Sequence, residues 1–235
     1  MATLFGSILN DRLTGTNAPD SILGADGNDV VFGNGGRDDI FGGNGADVIF
    51  GGSGNDVIGA DADGLNPFVL VPGDDWVSGG SGSDLITTGA GDDTLFGDSG
   101  KDILQGGPGR DVVNGGSGKD QLFWDDQDGS FDGGNGVDRL RTASSHLDLG
   151  SAAGASIHNI EIIDMTGGAG IPDSLTLNEA ELLDVSSTRT LKVLGDAGDV
   201  VDIEGSFTDR GISGRYHVYR MGSAKLLVDT DVTVL

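Results

Sequence analysis

The sequence predicts an all-β chain: a right-handed parallel β-roll of 18 residues per coil over residues 1–141, then a β-rich cap over 142–235. Three columns in register predict it. Aspartate recurs every nine residues, an aliphatic side chain stands two residues after each, and glycine stands two residues before most of them.

The aspartate column runs Asp11, Asp20, Asp29, Asp38, Asp47 and Asp56, then resumes as Asp75, Asp84, Asp93, Asp102, Asp111 and Asp120. The aliphatic column is Leu13, Ile22, Val31, Ile40, Ile49 and Ile58, then Val77, Ile86, Leu95, Leu104, Val113 and Leu122. A triplet with one apolar residue at its centre is a short strand that sends that single side chain inward. The glycines supply backbone geometry that other residues resist, and leave room for carbonyl oxygens to point at a shared centre. With two nine-residue units per coil, aspartates 18 apart share an edge. On that count Asp29 and Asp47 lie in one row with Asp84, Asp102 and Asp120, and Asp20, Asp38 and Asp56 in the other with Asp75, Asp93 and Asp111.

Charge says what the rows are for. With 38 acidic against 13 basic residues the net charge is −25, which opposes compaction and repels nucleic acid and anionic lipid. Before Arg141 there is no glutamate; Glu161, Glu179, Glu181 and Glu204 all lie later. Exclusive use of the shorter carboxylate marks a requirement of reach. Paired carboxylates with backbone carbonyls form the hard-oxygen shell that Ca²⁺ prefers, and several ions are expected.

Segments such as Gly42-Gly43-Asn44-Gly45-Ala46-Asp47-Val48-Ile49-Phe50 resemble the G-G-x-G-x-D-x-U-x nonapeptide of RTX (hemolysin-type) proteins, over roughly residues 10–141. Its nine places are numbered 1–9 below, with aspartate at 6. The resemblance implies calcium at Asp20, Asp29, Asp38, Asp47, Asp56, Asp75, Asp84, Asp93, Asp102, Asp111, Asp120 and Asp138. It adds Gly33, Gly35, Gly42, Asn44, Gly51, Ser53, Gly79, Ser81, Gly97, Ser99, Gly106, Gly115 and Ser117 as partners. The strongest sites are expected over 33–56 and 79–120.

The pattern breaks in three places. Ala18 and Ala25 replace motif glycines, which predicts poor binding in the first coils. The step from Asp56 to Asp75 is one residue more than two periods, read as a loop insertion at about 60–73 that replaces one metal turn. Asp61, Asp63 and Gly64 hint at an EF-hand loop, but Pro72 stands where its closing glutamate belongs. Gly129 takes the next aspartate place, so 124–132 reads as a weakened coil. Val30, Phe32, Val48, Phe50, Leu85 and Ile103 are expected on one outward face, more as structure than as a ligand surface.

Behind residue 142 ordinary β patterning is expected. Strands are predicted near Leu147–Leu149, Ile157–Met165, Ser174–Leu177, Thr190–Leu194 and Val200–Ile203, and at the end as a Tyr216–Arg220/Lys225–Val228 hairpin and Thr230–Leu235. One helix is predicted from Asn178, capped through Glu181, with Leu182 and Leu183 inward. Such a segment would cover the open end of the solenoid. It also resembles the C-terminal region of RTX adhesins and other type I secretion substrates, which implies export without an N-terminal signal peptide, an extracellular or cell-surface place and the type I apparatus as partner. The cell surface or other repeats of a parent protein are further partners.

No catalytic constellation is read. Cysteine is absent, His146, His158 and His217 form no spaced cluster, and G-x-S-x-G does not occur. The G-x-G-x-x-G-like strings lie inside the repeats. No apolar run approaches the ~20 residues of a membrane span. The leading expectation is a calcium-dependent folding and export module of an adhesin-like protein. The alternatives are the non-catalytic tail of a secreted enzyme (a lipase, protease or polysaccharide-modifying enzyme) and a surface- or glycan-binding module.

Overall fold

The computed structural model describes residues 1–61, 73–125, 127–142, 146–149, 156–166 and 173–235. Each nine-residue unit contributes one strand, and alternate units feed opposite sheets. One sheet stacks Thr3–Phe5, Ser21–Asp26, Asp39–Asn44, Val57–Gly59, Leu85–Thr87, Ile103–Gln105, Gln121–Trp124 and Arg139–Thr142 in parallel. The other stacks Arg12–Thr14, Val30–Gly35, Val48–Ser53, Trp76–Gly82, Thr94–Gly100, Val112–Asn114 and Ser130–Asp132. Partners such as Ile22 and Ile40, or Leu95 and Val113, sit 18 residues apart as expected.

The aliphatic column makes the core. Ile22, Val31, Ile40, Ile49, Val77, Ile86, Leu95, Leu104 and Leu122 are each 0% exposed and join one hydrophobic cluster. With a single core residue per strand, burial contributes about 1.5–3 kcal/mol at each step. Packing alone is thin, so the edges of the roll carry much of its stability.

The register across the break corrects the row assignment. Asp47 N–H donates to Asp75 and Asp56 N–H to Asp84, each across 28 residues. Ala60 N–H still bonds Thr87 C=O (3.0 Å) and Asp61 N–H bonds Thr88 C=O (2.8 Å). The chain resumes at Gly73, whose Cα faces the Gly45 carbonyl as Gly91 faces that of Gly73. Ten residues are therefore inserted at place 3 of one unit, and no unit is skipped. The true rows are Asp11, Asp29, Asp47, Asp75, Asp93 and Asp111 on one edge, and Asp20, Asp38, Asp56, Asp84, Asp102, Asp120 and Asp138 on the other. Residues 62–72, including Asp63, Gly64 and Pro72, lie outside the described residues.

The outward face divides for the same reason. Val30, Phe32, Val48 and Phe50 belong to one sheet, Leu85 and Ile103 to the other. Phe32, Phe50, Trp76 and Phe96 form a ladder with ring centroids 4.9, 5.1 and 5.4 Å apart, closed by Arg12 at 4.3 Å from the Phe32 ring. Phe32 and Phe50 stack face to face, while Trp76 and Phe96 continue the file with tilted rings.

Parallel pairing crosses the boundary expected at 141/142 without a break. Arg139–Thr142 pairs with Ile162–Asp164, which pairs with Thr190–Leu194 and then Ala224–Asp229. A third sheet stacks His146–Asp148, Ser174–Leu177, Val200–Ile203 and Thr233–Val234. The expected Ile157–Met165 strand divides into Ser156–His158 and Ile162–Asp164, one on each main sheet. The hairpin forms as Tyr216–Met221 with Ala224–Asp229, and an unforeseen exposed strand, Thr208–Ser213, adds to its edge. The helix is Glu179–Val185, with the Asn178/Glu181 capping box in place. Leu182 is buried, but Leu183 is 37% exposed, because the two are adjacent and only one can face the core.

Candidate metal centre

The two edges of the roll are built from aspartates that should not be buried on their own. Asp29, Asp38, Asp47, Asp56, Asp84, Asp102, Asp111, Asp120 and Asp138 are at most 2% exposed. Each divides its carboxylate. Oδ1 accepts the backbone N–H of the aspartate one coil earlier, as in Asp20→Asp38 and Asp38→Asp56 (2.8 Å each) or Asp120→Asp138 (2.9 Å). This ladder ties coil to coil. Oδ2 turns the other way. In Asp29, Asp38, Asp47, Asp56, Asp75, Asp84, Asp93, Asp102, Asp111, Asp120 and Asp138 it is buried with no hydrogen-bond partner.

At nine of these eleven aspartates the space beside the carboxylate is kept open by glycine at place 1; at Asp75 and Asp93 that place is Ala60 and Thr88. A methyl on Gly33 would lie 2.6 Å from Asp38 Oδ2. One on Gly51 would meet the Gly79 carbonyl oxygen at 2.6 Å and Asp56 Oδ2 at 2.8 Å. One on Gly97 would meet the Gly115 carbonyl at 2.6 Å and Asp102 Oδ2 at 2.8 Å, and one on Gly115 the Gly133 carbonyl at 2.7 Å and Asp120 Oδ2 at 2.9 Å. Carboxylate and carbonyl oxygens thus converge at these glycines, in the space left by the missing Cβ. Gly42, Gly79 and Gly106 face their aspartates in the same way. The tight turn beyond the cradle needs the left-handed region at Gly45 (φ +118°), and Ala25 adopts it against its preference at φ +85°.

The place-3 residues are arranged differently. Ser53, Ser99 and Ser117 are exposed and donate from Oγ to the backbone carbonyls of Asn34, Gly80 and Asp98, at 3.4 Å each. Ser81 pairs with Ser53 and Ser99 along the same edge, Gly35 with Ser53, and the Asn44 amide donates to Asp26 (2.7 Å). The serine side chains lie on the outer surface of the turn, so any share they have in the cradle is through the backbone.

Electrostatics confirm the misfit of bare carboxylates. Burial pushes Asp47, Asp102 and Asp138 up to about 7 and Asp38 to about 6, with neighbouring aspartates adding to the rise. Asp75 reaches about 8, through burial and then the charges of Asp61, Asp47 and Asp93. Each uncompensated buried ion costs several kcal/mol, against a total stability of about 5–15 kcal/mol. A hard cation fits this donor set, and with only two kinds of oxygen per cradle it needs no clustered trio of carboxylates. Among the described residues no group of three or more histidines or acids converges.

Asp20 differs. The N–H of Ala2 reaches its Oδ1, and Thr16 supplies both N–H (2.6 Å) and Oγ1 (2.8 Å) to its Oδ2, so its carboxyl is held below the usual range. Ser7 treats Asp11 alike. Within the repeats two buried acids fall outside the nine-residue column. Asp61, at place 2, is 3% exposed with Oδ1 unpartnered. Asp128 stands one residue before the expected place 129, and its carboxyl is pushed up by burial and by Asp125 and Asp111. The row logic also reaches past the repeats: Asp138 N–H donates to Glu161 Oε2 (3.1 Å) and Asp173 N–H to Asp199 Oδ1 (2.9 Å).

Fold and site together define a calcium-binding parallel β-solenoid. The RTX calcium-binding nonapeptide repeat matches in four copies, over residues 5–40, 32–63, 71–104 and 96–129, and the chain belongs to that family. No curated protein gives a significant match to it. The chain binds multiple Ca²⁺ ions through a structural module of a kind that is generally non-catalytic and typical of extracellular, type I-secreted proteins. Among the described residues no helix is long and apolar enough to cross a membrane.

Proposed function

We propose that this chain is a calcium-triggered folding module that supports type I secretion of an adhesin-like protein, and that the ions sit in the glycine-lined cradles. The carrying observation is the file of buried, unpartnered Asp Oδ2 atoms, most of them beside a glycine cradle into which a carbonyl of the next coil also points. The candidate ligands are these carboxylates with the carbonyls of the place-1 glycines. Calcium supplies the positive charge that offsets the burial of the rows. Without it the carboxylates repel one another and the extended chain can be threaded; at millimolar calcium they are neutralised and the coils close. Extracellular modules bind calcium at ~10⁻⁴ to 10⁻³ M, which suits such a switch.

The supporting test is far-ultraviolet circular dichroism of the whole chain through a calcium titration. A disordered spectrum in EDTA and a cooperative gain of β signal between ~10⁻⁴ and 10⁻³ M calcium are expected. A roll fully folded in EDTA sinks the proposal.

A further inference from the structure

The two edges are unequal. Along one, place 1 is glycine at every coil from Gly33 to Gly133. Along the other, the stacking puts Ala60 and Thr88 in that place, between Gly42 and Gly106. A side chain starts there where its neighbours leave open space, and both residues are buried, at 0% and 1% exposure.

Thr88 shows what fills the space. Its hydroxyl donates to the Gly106 carbonyl oxygen at 3.0 Å, and that oxygen also accepts Gly89 N–H at 2.8 Å. Both lone pairs of the carbonyl are then used, so it has nothing left for a cation. Its counterparts on the other edge face open cradles. Asp61 completes the replacement: its Oδ2 accepts Ala90 N–H at 2.9 Å, in contact with Gly89, where a methyl would lie 2.5 Å from the Asp61 Cβ. The chain departs from the repeat directly after Asp61.

We infer that the cradles of Ala60 and Thr88 hold no calcium: protein side chains occupy the ion's place there, so one edge carries an unbroken file of ions and the other an interrupted one. The insertion then follows, in sequence, the coil where no ion has to be held. Asp75 and Asp93 keep the ladder function of Oδ1 without the ligand function of Oδ2. This inference rests on the ligand assignment proposed above.

The test counts calcium bound per chain, by equilibrium dialysis and elemental analysis of the whole folded protein. Asn preserves the Oδ1 acceptor of the ladder and removes the charge. Asp102→Asn is expected to lose one ion, Asp93→Asn none, and Thr88→Gly to gain one. Loss of an ion in Asp93→Asn overturns the inference, as does an unchanged count in a folded Thr88→Gly. If Thr88→Gly fails to fold, the comparison of Asp93→Asn with Asp102→Asn decides it. Should Asp102→Asn also keep its full count, the cradle assignment itself falls, and this inference with it.

Discussion

An aspartate in the roll does two jobs with one carboxylate, and separating them explains why residues that look equivalent are not. Oδ1 is a structural acceptor, present equally in Asp38 and Asp102. Oδ2 is free for an ion in Asp102 but already holds two donors from Thr16 in Asp20. Asp102→Ala is therefore expected to raise the calcium midpoint of folding and to cost about 3 kcal/mol at calcium a hundredfold above its dissociation constant, the linkage value of one lost site. Asp20→Ala removes a hydrogen-bonded acceptor at the roll's end and is expected to lower stability with little change in the midpoint. Calcium titrations of both variants check this, and equal shifts of the midpoint would refute the division of roles.

At the scale of the element, the nine-residue unit was legible because its three columns have separate physical causes: a ligand, a core residue and a turn. What could not be read was parity. The step from Asp56 to Asp75 fits two units plus one residue, or one unit plus ten, and the aspartates alone do not choose. Ala60 and Asp61 choose, because their N–H groups continue the stack to Thr87 and Thr88. Reading two units put Leu85 and Ile103 on the wrong sheet. Asp128 was missed because it is one residue out of phase, and Asp61 was read as part of the loop because a place-2 acid falls outside the column. Behind residue 142 most strands were visible as β pattern, yet their continuation of the parallel stack was not. There the coils lengthen to 23 and 26 residues between ladder partners, and a period that varies leaves no column. The parity correction makes its own prediction. Excising residues 63–72 leaves one residue between Asp61 and Gly73 and restores the 18-residue step on both edges. Such a chain is expected to keep its calcium midpoint and its folded spectrum, since the bonds that carry the register across this coil join residues outside the excised segment. Collapse of the β signal at saturating calcium would show that the segment is part of the register after all.

For the whole molecule, the same carboxylates give opposite pH dependences with and without calcium. In the metal-free roll Asp38, Asp47, Asp75, Asp102 and Asp138 titrate at about 6 to 8, raised by burial above their unfolded values near 3.8. Between these limits the folded state binds more protons than the unfolded one, so its stability falls as pH rises through 6 to 8 and recovers as pH drops toward 4. Protons then do in part what calcium does, discharging the rows that give the chain its −25 charge. In calcium the sign reverses at the liganding aspartates Asp38, Asp47, Asp102 and Asp138, because the ion binds the ionised carboxylate and protons compete with it. Lowering the pH from 8 to 6 is therefore expected to raise the calcium concentration needed for folding, while the chain in EDTA gains β structure and melts at a higher temperature over the same range. Melting curves across pH 5 to 8 in EDTA and in millimolar calcium test both limbs. A metal-free chain that loses structure on acidification through this range would mean that the buried rows are not what keeps it open, and that some other repulsion in the chain sets its dependence on calcium.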